Sequence, residues 1–381
     1  MSTIAGLRCS FSDVSTPKPN TAAITSPGLT YSFRHVCIEA MALNAPTTEI
    51  TSASIEQDLK SLYERLEIPF GTLERMTGVK TRRFWEDSVM PSTVATQAAE
   101  MAFAQCHIKP SQIGAIINCS VSRDHFEPAT AALAHRSLGL SEGCMAFDIS
   151  NACVGFSNGL MTIASLIEAG QIEAGLVVTG ETVSRAVHAG LAEVKLMGDI
   201  DREKLLSFLP TVTLGSGAVA YILCHERFSK AGHRLKGASV RSATQHNMLC
   251  VGDKDYAMSQ SDKDYRPVMF TNAPELMAQA ALLGNRAWAG ASALFNWSAE
   301  DLNHIVCHQV GKHVNEAFYR TVGLDRAKEY ILYPEYGNMV SAAMPGALTK
   351  AVDARGFKTN DKILLMGYGS GLNAIFTGIE W

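Results

Sequence analysis

The chain has 381 residues, 47% of them hydrophobic and 18% charged, more than one core usually holds, so two domains or a duplicated one are expected. Its formal net charge is -4 and it has no basic run, which argues against a nucleic-acid surface and leaves acidic ligands to local basic contacts. The cysteines, Cys9, Cys37, Cys106, Cys119, Cys144, Cys153, Cys224, Cys250 and Cys307, are odd in number and form no C-x-x-C pair. That pattern suits reduced thiols in a cytoplasm rather than a disulfide framework or a zinc site.

No window of 18 or more apolar residues exists, so no membrane span is predicted. Residues 1–30 lack the basic start and apolar block of a signal peptide, and read as a loose extension rich in Ser, Thr and Pro. Ordered structure is expected from Tyr31, with a strand over Val36 to Leu43. Ser54-Ile-Glu-Gln57 has the form of a capping box opening a helix with Ile55, Leu59, Leu62, Tyr63 and Leu66 on its apolar face. Arg82 and Arg83, set among aromatics, offer a grip for phosphate, although an exposed basic turn is usually nothing more.

A helix from Ser92 to Cys106 leads to a buried strand, Ile113 to Ser120. Beyond it, Glu127 precedes Pro128, and a proline suits a first helical turn. Glu127 is thus placed near a helix start, where the bland account is an acid favoured by the dipole. Met145 to Ile149 reads as another short strand, followed by Asn151-Ala-Cys153-Val-Gly and a helix with Leu160, Ile163, Ala164 and Ile167 at helical spacing. A thiol at a helix N-terminus is expected below its reference pKa of about 8.5, where the thiolate is a nucleophile. Taken alone, a cysteine is more often just a small buried hydrophobe.

Ala174 to Thr179 is a further buried strand. Residues 184–210, more polar, read as an insertion that serves as a lid or a dimer contact. A glycine turn then feeds a strand over Leu214 to Leu223, and Arg234 to Cys250 is extended. The tetrapeptide Asp-Lys-Asp-Tyr occurs at 253 and again at 262 in what reads as a solvated loop, and helical periodicity returns from Pro274 to Phe295.

The end of the chain repeats its beginning. Ile113 to Val121 is matched by Leu302 to Val310, Gly215-Ser-Gly217 by Gly369-Ser-Gly371, and the turn at Asn151 by the turn at Asn338. The common order favours a duplicated α/β unit, residues 31–230 and 231–381, whose equivalent turns meet at a pseudo-twofold centre. Cys153, His308 and Asn338 all fall just after buried strands. Individually, a histidine there is more often structural and an asparagine after glycine a turn residue. Together they supply a thiol to carry an acyl group and two donors for an oxyanion.

Asn-Ala-Cys153-Val-Gly-Phe, His308-Gln and Gly-Asn338-x-x-Ser-Ala, closed by Gly-x-Gly-Ser-Gly near the end, resemble the thiolase superfamily in its ketoacyl synthase III branch, from about Val36 to Trp381. Within the branch, Ser120 to Pro128, Phe147 to Cys153, Gly180-Glu-Thr and Gly369 to Asn373 are most similar to the acyl-CoA condensing enzymes of long-chain olefin biosynthesis. Pyrone-forming ketosynthases are similar as well. The resemblance implies a layered αβαβα fold with acyl thioesters of coenzyme A or an acyl carrier protein as substrates, and no cofactor or metal. It also implies a homodimer. Cys153 would take the first acyl group, and the backbone N–H groups of Cys153 and Ser370 would form its oxyanion hole. His308 and Asn338 would hold the enolate of the second thioester, whose α-proton goes to Glu127 reaching across the dimer. Condensation that loses carbon dioxide needs no such base, so Glu127 favours the non-decarboxylating route to a 2-alkyl-3-oxoacyl product. Condensation with a 3-oxoacyl or malonyl thioester, or acyl transfer without a carbon-carbon bond, remain the alternatives. A degradative thiolase carries a second cysteine where this chain has Gly369-Ser-Gly371. The arginine common before the Thr-Gly motif of this branch is Met76 here, with Arg75 one step earlier.

Overall fold

The computed structural model describes residues 28–252 and 269–381. Both Asp-Lys-Asp-Tyr stretches and nearly all of the expected N-terminal extension lie outside the described residues. The first half contains β1 (Leu29–Ser32), β2 (Val36–Asn44), β3 (Thr48–Thr51), β4 (Thr81–Phe84), β5 (Ala115–Asn118), β6 (Met145–Asp148), β7 (Ala174–Glu181) and β8 (Gly217–His225). Its helices are α1 (Ser52–Asp58), α2 (Lys60–Arg65), α3 (Thr72–Thr77), α4 (Pro91–Phe103), α5 (Thr130–Ser137), α6 (Gly155–Glu168), α7 (Ser184–Leu196) and α8 (Arg202–Val212). The second half contains β9 (His233–Ser242), β10 (Cys250–Gly252), β11 (Met269–Thr271), β12 (His304–Cys307), β13 (Lys362–Gly369) and β14 (Asn373–Glu380), with α9 (Ala273–Phe295), α10 (Lys312–Val322), α11 (Tyr333–Tyr336) and α12 (Ala343–Arg355).

The duplication is visible in strand order. β6, β5, β7, β8 and β2 lie side by side, and β12, β13, β14 and β9 repeat that order. β5 is parallel to β6 and β7, while β8 is antiparallel to β7 and β2. In the second half β12 is parallel to β13, and β14 is antiparallel to β13 and β9. A lone parallel bridge, Ile305 to Glu329, stands where β5 meets β6. The two sheets join through only two residue pairs of β2 and β9, Cys37 with Arg234 and Ile38 with His233.

Five layers follow from which face each apolar side chain takes. In β8, Val219, Tyr221 and Leu223 face a central core, while Ala218, Ala220, Ile222 and Cys224 face an outer one. A strand covered on both faces loses the polar alternation of a half-exposed one, which is why this run reads as continuously apolar. The central core holds α6 and α12 between the sheets, with Phe156, Leu160 and Ile163 meeting Ala347 and Leu348. Phe156 packs edge-to-face on Tyr221 at 5.0 Å, and truncating such a ring costs roughly 3–5 kcal/mol. The alanine face of α4 covers the first sheet outside, and α9 with α10 covers the second. The expected αβαβα arrangement of two α/β halves is present.

Local expectations fared unevenly. The cap of α1 is Thr51 rather than Ser54: Thr51 is extended, and its side chain accepts from Ser54 N at 2.9 Å. The helix then breaks at Leu59 into α1 and α2. Pro128 does not open a helix, because α5 starts at Thr130, and the acid at its N-terminus is Asp148, which accepts from Thr130 N and Ala131 N at 2.9 Å each. Residues 184–210 form α7 and most of α8, whose Val187, Leu191, Phe208 and Leu209 share a satellite core with Ile55, Leu59 and Tyr63.

Candidate active site

Cys153 lies in a single 3-10 turn, Ala152–Val154, between β6 and α6. Ala152 takes a left-handed φ of 45°, turning the chain sharply so that the thiol meets the start of the central helix. Amides pin this turn to the far half of the molecule. Asn151 donates to Asn158 Oδ1 at 2.8 Å and accepts from Asn373 Nδ2 at 3.0 Å, and Asn373 accepts in turn from Ser242 Oγ at 2.7 Å. The end of β13 lies so close that a Cβ on Gly369 would stand 3.2 Å from Val154 N and 2.9 Å from its side chain. Ser370 is therefore held beside the cysteine turn.

The expectation of an acidic thiol is not met. Burial is the largest influence on Cys153 and pushes its pKa up, and the nearby Cys250 thiol and Glu181 carboxyl add to the rise. A helix start favours the thiolate only as far as its field exceeds the loss of hydration, and here desolvation wins. Burial thus favours the thiol form of Cys153.

Asn338 occupies the second half's counterpart of the cysteine turn. Its N–H donates to Thr213 O and its carbonyl accepts from Gly215 N, both at 2.9 Å. Gly215 has no room for a side chain, since a Cβ there would stand 2.0 Å from Tyr336 O. Asn338 Oδ1 accepts from Val340 N at 2.9 Å, so its Nδ2 is the donor left for a ligand. The 3-10 turn Val340–Ala342 that follows packs against the Cys153 turn.

His308 follows β12, where its N–H donates to Met366 O at 2.9 Å. It is 4% exposed, and burial lowers its pKa to about 4, so the ring is neutral at physiological pH. Its Nδ1 is buried without a partner among the described residues. Gln309 fastens it to the approach of Asn338: its Oε1 accepts from Leu332 N at 2.6 Å and Tyr333 N at 3.0 Å, and its Nε2 donates to Tyr330 O at 2.6 Å. The structure thus packs the Cys153 turn against the turn after Asn338 and against the end of β13 next to Ser370, and ties Gln309, next to His308, to the approach of Asn338. Glu127 stands apart, exposed on the loop after β5 beside Phe126, which is 57% exposed.

Two family models match this chain, the 3-oxoacyl-[acyl-carrier-protein] synthase III model over residues 147–243 and its C-terminal model over residues 293–381. An acyl-CoA:acyl-CoA alkyltransferase of Xanthomonas campestris is 35% identical over 92% of this chain and 99% of its own. One from Shewanella oneidensis is 33% identical over 92% and 99%. Cerulenin-bound OleA from Xanthomonas campestris superposes with a TM-score of 0.86 at 34% identity, covering 93% of this chain and 99% of that one. The chain belongs to the OleA family of ketoacyl synthase III-like enzymes.

It is accordingly a condensing acyltransferase with the thiolase-like fold. Against this OleA-type frame the arginine pair needs correction. Arg82 and Arg83 lie in β4, paired with Ile50 and Glu49 of β3, rather than in an exposed turn. Arg82 is fully buried, donates to Ile50 O at 3.3 Å and Ser52 Oγ at 2.9 Å, and is lowered to about 10 by desolvation. A guanidinium spent on holding β3 to α1 is not free for a phosphate. Arg83 pairs with Glu49 at 2.8 Å and lies 4.5 Å over the Tyr336 ring.

Sequence reasoning quoted Asn151, Gln309, Asn373 and Glu181 within motifs without giving them a role, and named Cys250 only among the cysteines. Glu181 had a local signal, since an acid closing eight buried strand residues has no surface to escape to. The bonds of Gln309 and Asn373 to distant segments had none, because their partners lie far away in sequence. No helix among the described residues is long and apolar enough to cross a membrane.

Proposed function

We propose that this enzyme joins two fatty acyl thioesters head to head without decarboxylation. The observation that carries the reading is the packing of the Cys153 turn against the turn after Asn338 and the end of β13, with Gln309, next to His308, hydrogen-bonded to the approach of Asn338. The Cys153 sulfur attacks the carbonyl of the first thioester, whose oxygen is met by the N–H groups of Cys153 and Ser370. Coenzyme A or an acyl carrier leaves as the free thiol, taking the proton that the buried Cys153 held. A base then removes the α-proton of a second acyl thioester. The oxygen of that enolate is met by Asn338 Nδ2 and by the single N–H of neutral His308, a ring unable to deliver a stray proton at neutral pH. The enolate carbon attacks the acyl-Cys carbonyl and expels Cys153 as thiolate, giving a 2-alkyl-3-oxoacyl thioester.

The base is Glu127, contributed by the partner of a homodimer. Support comes from the edge of the first sheet. Met145 and Ile149 donate inward to Gly114 O and Asn118 O, the other edge of β6 pairs with no strand among the described residues, and Met145, with Val121 and Phe126 after β5, is exposed. An open strand edge rimmed with apolar side chains fits a second copy better than it fits water. Solved forms of Xanthomonas campestris OleA exchange a glutamate and a cysteine with the same separation along the chain as Glu127 and Cys153, and one such form holds lauric acid and lauroyl-CoA. The eight cysteines among the described residues are free, in keeping with a cytoplasmic setting.

Lauroyl-CoA alone tests the reading. Acylated Cys153 by intact mass and a condensed 2-alkyl-3-oxoacyl product by mass spectrometry are expected. Condensation that begins only when a malonyl or 3-oxoacyl thioester is added would overturn it, as would acyl transfer with no carbon-carbon bond.

A further inference from the structure

Glu181, the last residue of β7, is fully buried, and both its carboxylate oxygens are engaged. Oε1 accepts from Val121 N at 2.9 Å, from Ser341 N at 3.4 Å and from Ser341 Oγ. Oε2 accepts from Ser122 N at 3.1 Å and Ser122 Oγ at 2.9 Å. These donors are neutral, so the carboxylate is held by hydrogen bonds rather than by a counter-ion. Keeping an acid in such a place is costly, and glutamine would supply only one acceptor oxygen for contacts that need two. The elements it joins lie far apart in sequence. Val121 and Ser122 open the loop that carries Glu127, and Ser341 lies in the turn directly after Asn338. Thr179 Oγ1, 2.5 Å from Ser341 Oγ, braces the same serine against β7.

We propose that Glu181 is a positioning residue of the condensation step, one buried carboxyl group that straps the turn carrying the enolate donor Asn338 to the loop carrying the base Glu127. This rests on the function proposed above. In a dimer that exchanges Glu127, the strap also ties each protomer's own site to the loop it lends its partner. Losing it moves both groups by a fraction of their contact distance, and displacement on that scale costs on the order of a hundredfold in rate. The cysteine turn is pinned separately by Asn151 and Asn373, so acylation of Cys153 is spared.

The test compares wild type, Glu181→Gln and Ser341→Ala with lauroyl-CoA, following acyl-Cys153 by intact mass and condensed product by mass spectrometry. Condensation kcat is expected to fall roughly a hundredfold in Glu181→Gln and tenfold in Ser341→Ala, with KM and the acylation rate held within about twofold in Ser341→Ala, while Glu181→Gln, which removes a group that raises the Cys153 pKa, should not slow acylation. Ser341→Ala keeps the buried carboxylate in place and decides the matter should Glu181→Gln not fold. Condensation at the wild-type rate in the variants, or a parallel fall of acylation and condensation in Ser341→Ala, overturns the proposal. A wild type that yields no condensed product overturns the function itself, a distinct result seen before either variant is compared.

Discussion

The two halves share a strand order yet end differently at their outer edges. In the first, β6 is a true strand whose outer edge pairs with no strand among the described residues, and the turn after it carries Cys153. In the second, the equivalent strand has shrunk to the Ile305–Glu329 bridge, and side chains close it over: Arg355 donates to Lys328 O at 2.9 Å and to Glu329 O, while Gln309 takes the amides of Leu332 and Tyr333. One strand order thus ends differently in the two halves, and under the proposed function the first end carries the nucleophile and the second an oxyanion donor, dividing covalent from electrostatic catalysis.

Replacing Cys153 and Asn338, one from each of the two corresponding turns, is the most severe way to break this division. Cys153→Ala should abolish both acylation and condensation, by at least about a thousandfold, because the covalent carrier is gone. Asn338→Ala should lower condensation by roughly a hundred- to a thousandfold and leave acyl-Cys153 accumulating, as expected when one oxyanion donor is removed. Intact mass of the protein after exposure to lauroyl-CoA separates the two. Were Asn338→Ala also unable to acylate, the halves would not differ in role. Glu127→Gln should resemble Asn338→Ala, with condensation lowered about a hundredfold or more while acylation persists.

How much of this was legible follows from how local each feature is. His308 follows a largely buried strand as expected, but β6 before Cys153 is partly exposed and Asn338 follows the helix α11, so their sequence motifs and not buried strands singled those two out. The state of the thiol was not legible, since burial and the approach of Cys250 and Glu181 are tertiary facts. Arg82 misled because a strand paired with β3 looks, in sequence, like a basic turn beside aromatics. Glu181 and Ser341 stand 160 residues apart, and no periodicity connects them. Glu127 was found by resemblance, but its expected helical setting failed because Asp148, brought in from the neighbouring strand, already caps α5.

The contrast between open and closed edges can be sharpened by a change with little effect inside the protomer. Because Met145 and Ile149 donate inward, the N–H of Ala146 faces the open edge, and Ala146→Pro removes a donor that only a partner strand would use. Sedimentation should show dimer giving way to monomer while the circular dichroism of the fold is kept. Condensation should fall with dimer content if Glu127 serves the neighbouring site. An unchanged dimer would move the interface elsewhere.

The smallest expected effect concerns the acid behind the sealed edge. Glu329 is 3% exposed, and burial raises its pKa to about 8, above that of an unfolded carboxyl, despite Arg326 and the 2.7 Å bond from Asn315. Between about pH 4.5 and pH 8 the folded state therefore binds more protons at this site than the unfolded one. Its contribution is complete below that window and lost as pH rises through it. Glu329→Gln keeps the shape and removes the titration, so relative to wild type it should gain on the order of 1–3 kcal/mol between pH about 5 and about 9, read from urea midpoints. His308 runs the other way: with a folded value near 4, its neutral form lends stability that is lost as pH falls below about 6.5. The two slopes oppose each other in wild type, so only the variant exposes either one. If Glu329→Gln and wild type keep a constant offset across that range, Glu329 is already ionised in the folded protein, and the sealed edge is held by an ion pair with Arg326 instead of a neutral acid.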